Sequence, residues 1–140
     1  MFSNLVNHLY ERFRLEHYRT LFGNIKEKDG SLSATEAFAV DVIYLLKKPS
    51  IKQLSETLGI SQPNATYKVN NLVAKGYVEK SIPVEDRREC RLSVAERFHR
   101  YYDKSDAFID RAVAQLRGQF TPSEMETFSR VLQALNEAVE

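Results

Sequence analysis

The stretch from Ser50 to Gly76, SIKQLSETLGISQPNATYKVNNLVAKG, decides the fold. Ser50 and Gln53 have the spacing of a capping box, in which each side chain satisfies an orphan backbone donor at a helix start. A short helix is predicted over Ile51–Leu58. It closes at Gly59, because glycine takes the left-handed conformation past a helix end at least cost. Ser61 opens a second helix with Pro63 in its first turn, where a missing N–H is tolerated. That helix runs to Lys75 and stops at Gly76. Leu54 and Leu58 give the first helix an inner side. Ala65, Val69 and Leu72, at i, i+4 and i+7, give the second a single buried stripe, with Ala65 small enough for close approach. Two short helices joined by Gly59-Ile60-Ser61 make a helix-turn-helix.

The face opposite that stripe presents Pro63, Tyr67 and Asn70, flanked by Gln62, Asn64, Thr66, Lys68 and Asn71. It is polar and nearly free of acids, as suits a surface that approaches phosphates and base edges of duplex DNA. Gln and Asn can bond two groups of adenine, and a Thr methyl can pack on thymine. The helix start adds N–H donors for phosphate. The candidate contacts are Ser61, Gln62, Asn64, Thr66, Tyr67, Lys68 and Asn70. Helix-turn-helix spacing alone also occurs in unrelated bundles, so the next segment decides. Tyr77–Lys80 and Cys90–Val94 predict two short strands around the polar tip Pro83–Glu89, a hairpin or wing. Its tip carries Asp86, Arg87 and Arg88. A guanidinium there can enter a narrow, strongly negative minor groove, with Asp86 holding one arginine in a forked ion pair.

Leu32-Ser33 opening a helix, the runs Leu54–Ser61 and Leu72–Lys80, and Glu85-Asp86-Arg87-Arg88 together carry a family likeness. The stretch Leu32–Val94 resembles the multiple-antibiotic-resistance, or MarR-type, regulators, and the resemblance extends loosely to the whole chain. It implies a homodimer whose first and last helices pack together, bound to a pseudo-palindromic operator, usually as a repressor. It places Asp86 and Arg88 at the family's wing pair, and Gln62, Asn64 and Thr66 at recognition-helix positions. One departure stands out. Where family members often carry a capping Thr and, three residues on, a Gly, this chain has Ala95 and Phe98. Ser93 is then the candidate cap. Phe98, Tyr101 and Tyr102 make that region unusually aromatic, either lining a pocket or packing on a partner subunit.

Outward from this centre, Leu5, Leu9, Phe13, Tyr18, Leu21 and Phe22 recur near helical spacing and predict one long helix ending near Lys28-Asp29-Gly30. Ser33 and Glu36 have capping-box spacing before a second helix that runs to about Leu46. After the hairpin, a helix from about Ala95 to Arg117 closes at Gly118. Thr121, Pro122 and Glu124 then open the last one, with Met125, Phe128, Leu132 and Leu135 on its apolar side. The fold class expected is mainly α with a small β-hairpin. A winged helix-turn-helix at 31–95 lies between dimerisation helices at 1–30 and 96–140, all in one compact domain. The charge agrees. Between Lys47 and Arg91 there are nine Lys/Arg against five Asp/Glu, and elsewhere eleven against fourteen, so the middle is basic although the net charge is only +1.

No apolar run reaches the roughly 20 residues of a membrane span, no signal-peptide pattern opens the chain, and a single cysteine forbids an internal disulfide, so a reducing cytoplasm is expected. No glycine-rich phosphate loop, paired catalytic acids or Cys/His nucleophile motif argues for an enzyme. No cofactor is expected. His8, His17 and His99 lack metal-ligand spacing, and Cys90 reads as an inert thiol rather than a sensor. A small organic effector is the expected signal, with Phe13, His17, Tyr18, Phe38 and Tyr44 as candidate pocket residues. The competing function is a winged helix that binds only protein, which would not need Arg87, Arg88 or an acid-poor helix face.

Overall fold

The computed structural model describes residues 1–24, 32–83, 85 and 89–140, those at 24 and 101–106 by backbone alone. The expected end of the first helix near Lys28-Asp29-Gly30, and the wing-tip triad Asp86, Arg87 and Arg88, lie outside the described residues. In chain order the elements are α1 (Phe2–Asn24), α2 (Ala34–Leu45), α3 (Ile51–Leu58), α4 (Gln62–Ala74), β1 (Val78–Ser81), β2 (Arg91–Val94), α5 (Glu96–Leu116) and α6 (Pro122–Val139). The mainly helical class with one hairpin is as expected. The chain forms two compact units, Met1–Ser105 and Asp106–Glu140, and α5 runs through both.

In the first unit, Val40 and Ile43 of α2, Leu54 of α3, Val69 and Leu72 of α4, Leu92 of β2 and Phe98 of α5 meet in one buried core. Each such side chain contributes about 2 kcal/mol by leaving water. The predicted stripe Ala65, Val69 and Leu72 is fully buried. The hairpin is antiparallel, with Val78 opposite Val94 and Ser81 opposite Arg91. Ser50 forms a bridge with Arg91, and the Leu92 N–H donates to the Pro49 carbonyl at 2.9 Å, so β2 is also tied to the start of α3.

Two of the three capping boxes form in full. Ser50 Oγ accepts from the Gln53 N–H at 3.1 Å while Gln53 Oε1 accepts from the Ser50 N–H at 2.9 Å, and Thr121 and Glu124 do the same. At α2 only half of the box forms. The Glu36 N–H reaches Ser33 Oγ at 3.3 Å, but the Glu36 carboxylate takes the Ser33 hydroxyl (3.0 Å) and the Lys75 ammonium (2.8 Å). A carboxylate this buried is held by the cation rather than by a neutral backbone donor.

The start of α5 also differs from expectation. Ser93 is claimed by the hairpin ladder opposite Glu79, and the helix begins at Glu96. Phe98 does not face outward. It is core, its ring 5.0 Å from that of Tyr44. Both strands begin one residue later than predicted: the Tyr77 N–H still closes the end of α4 on the Leu72 carbonyl, and β2 starts at Arg91, opposite the last residue of β1, Ser81.

Candidate nucleic-acid interface

The turn between α3 and α4 sets the pose of the exposed helix. Gly59 sits at φ 67°, a conformation that costs other L-residues about 1 kcal/mol. Its left-handed turn lets the Ile60 N–H close on the Ser55 carbonyl at 3.0 Å. Ser61 then caps α4, its Oγ accepting from the Asn64 N–H at 3.2 Å. With the apolar stripe inward, Gln62, Pro63, Asn64, Tyr67 and Asn70 lie exposed, and Thr66, Lys68 and Asn71 half-buried. Tyr67 leaves 65 % of its surface in water, a large aromatic with no intrachain use. No acid lies on α4. All seven candidate residues of this helix and its cap therefore fall on one connected surface, with the Ser61 hydroxyl already committed to its cap.

Two residues outside the candidate contacts complete the surface. Lys80 of β1 is brought beside α4, its ammonium donating to Asn70 Oδ1 at 2.6 Å. Arg91 of β2 anchors the outgoing strand of the wing. Its guanidinium donates to Gln53 Oε1 at 3.1 Å and pairs with Glu89 at 2.7 Å. The Gln53 oxygen thus serves both the α3 cap and the wing. Nothing local in the sequence reveals either contact, since both depend on the hairpin register.

The far end of α4 is fixed from two sides. Lys75 gives its side chain to Glu36 of α2, and its carbonyl accepts from Arg97 of α5, whose guanidinium lies 4.8 Å over the Tyr77 ring.

Residues 31–89, spanning α2 to the wing, match the profile of the MarR family. Over that segment the chain is similar to proteins of the MarR family. A MepR variant of S. aureus solved bound to an oligodeoxyribonucleotide shares the fold at TM-score 0.53 and 13% identity, over 100% of this chain and 99% of that one. FabT of Streptococcus pneumoniae, solved in complex with DNA, matches at TM-score 0.56 and 19% identity, over 99% and 97%. A MarR family protein from Bacillus stearothermophilus matches at TM-score 0.62 and 16% identity, over 99% and 92%.

Beside the winged helix, α1 and α2 border an open apolar hollow of about 710 Å³, lined by Leu15, Tyr18, Arg19, Leu21, Phe22, Gly23, Ala34 and Phe38. Of the five candidate pocket residues, Tyr18 and Phe38 share its wall. Phe13, half-buried on α1, does not line it. His17 instead pairs with Asp41 of α2, Nε2 to Oδ2 at 3.0 Å. Burial raises the Asp41 carboxyl above its ordinary value, and the His17 cation pulls it partly back. Tyr44 packs on Phe98 and takes the Lys47 ammonium over its ring at 5.0 Å. Among the described residues, no three His, Cys, Asp or Glu groups converge as a metal site, and no helix is long and apolar enough to cross a membrane. Cys90 is half-buried.

Proposed function

We propose that this chain is a homodimeric, sequence-specific reader of duplex DNA that regulates transcription in the cytoplasm, by repressing a pseudo-palindromic operator. The observation that carries this reading is the exposed, acid-free face of α4, immobilised by a fully buried stripe and flanked by Lys68 and Lys80. Such a face offers amide, hydroxyl and ammonium groups to base edges and phosphates. The DNA-bound MepR and FabT structures share its fold, which supports the same use here. Asp86, Arg87 and Arg88 serve as the minor-groove wing.

The dimer is supported by α6, an 18-residue helix with no buried residue, and by exposed Phe2, Leu5 and Leu9 on α1. A helix of that length is marginal without tertiary cover. The hollow beside Tyr18 and Phe38 is the seat for a small organic effector. A ligand that prefers a half-site spread unlike that of the operator weakens DNA binding by population shift.

Selection of bound duplexes from a random library, then anisotropy titration of the winners, tests the reading. An inverted repeat is expected, its half-sites about one helical turn apart. Arg88→Ala should weaken binding with the dimer intact, and Gln62→Ala should change the preferred sequence. Failure to bind any duplex would put the protein-binding winged helix in its place.

A further inference from the structure

We propose that Lys80 and Asn70 form a built phosphate seat at the junction of wing and recognition helix, in which the lysine fixes the amide so that the pair offers only donors to one backbone phosphate. The inference rests on the DNA-reading function and deepens it. Two other cations of the winged helix spend their charge inside it, Lys75 on Glu36 and Arg91 on Glu89. Lys80 does not. Among the described residues its polar partner is the neutral Asn70 side chain, at 2.6 Å, and both groups are exposed. A neutral partner orients an ammonium without cancelling its charge.

The donor inventory follows from the chemistry of the two groups. An ammonium has three N–H donors and no acceptor, so only the Asn70 oxygen can meet it. That leaves two N–H on Lys80 and two on the Asn70 amide. Any second donor approaching Oδ1 would also approach the cation. The pair therefore rejects the amino edges of adenine and cytosine and accepts an anionic oxygen. Its place agrees. Asn70 lies eight residues beyond Gln62, about 12 Å along the helix axis, whereas base edges are met by the N-terminal part of a recognition helix. On this assignment Asn70 positions the protein and leaves sequence choice to Gln62, Asn64 and Thr66.

The experiment titrates wild type, Lys80→Met, Lys80→Arg, Asn70→Ala and the double variant Lys80→Met/Asn70→Ala. Each is measured on the selected duplex and on a scrambled one, between about 50 and 200 mM salt. Thermal unfolding of each checks the fold. Lys80→Met should weaken both duplexes by the same factor and reduce the salt slope by about 1.8, which is about 0.9 for each protomer of the bound dimer. Asn70→Ala should weaken both by about a hundredfold, tenfold for the one hydrogen bond to a charged group that each protomer loses, with the slope unchanged. The double variant should lose less than the product of the two, and Lys80→Arg should keep the slope. An unchanged slope in Lys80→Met overturns the seat. A changed preference between duplexes in Asn70→Ala overturns it too, since Asn70 would then read a base. If the wild type binds no duplex, the DNA-reading function itself falls and the seat with it. If the wild type binds and only these variants are silent, the seat alone falls.

Discussion

Glu36 keeps a negative charge almost out of water at the start of α2, and Lys75 balances it from the end of α4, 39 residues away. Removing one partner of such a pair costs far more than the pair contributes against an apolar substitute. Lys75→Met is expected to destabilise the chain by about 2 kcal/mol, because among the described residues the Glu36 carboxylate then keeps only the Ser33 hydroxyl. Urea unfolding checks this, and a midpoint equal to wild type would show that water already screens the pair. The sequence spacing suggested a reciprocal box between Ser33 and Glu36 because only the local partner was visible. Asp41 gives a second test. Its carboxyl titrates above the ordinary 3.8, mainly because it is desolvated. The folded state therefore holds that proton more tightly than the unfolded state. The contribution is fully present below 3.8 and is lost as pH rises through the raised value. Asp41→Asn carries no such dependence. Its unfolding temperature relative to wild type should climb as pH rises through that window and then level off. A flat difference from pH about 3 to 6 would mean that the carboxyl is as well hydrated folded as unfolded.

The helices of the winged domain were legible because their start and stop signals lie within four residues of the groups they satisfy, as at Ser50, Gly59 and Ser61. The hairpin was legible as a hairpin but not to the residue, since its ladder depends on partners 10 to 16 residues away. The same non-locality took Ser93 from the α5 cap and hid Lys80 and Arg91 from the candidate site. Gln53 joins the local and the distant. It closes the α3 box and holds Arg91 with the same oxygen. Ser50→Ala removes only the cap, worth about 1 kcal/mol. Gln53→Ala keeps the backbone bond to Ser50 Oγ but removes both the acceptor of the Ser50 N–H and the wing anchor, and is expected to cost about 1 kcal/mol more, a charge-assisted bond lost. Equal unfolding free energies for the two variants would show that the Arg91 tie adds nothing to stability.

At the scale of the whole molecule, the basic middle and acidic ends read from composition correspond to a folded winged helix flanked by helices that still expose apolar side chains. Phe128, Val131 and Leu132 each leave at least 39 % of their surface in water on α6. Phe128→Glu is expected to shift the protein from dimer to monomer in sedimentation and to abolish binding to the full operator. A variant that sediments as wild type would place the dimer contact elsewhere. None of the 18 residues of α6 is fully buried within its own chain, and this has a consequence for the cell. If only a second copy covers them, the amount of active regulator in dilute conditions falls with the square of the chain concentration. Halving synthesis then leaves a quarter of the dimers. Such a regulator senses its own abundance and releases its operator abruptly as it is depleted, without any signal molecule.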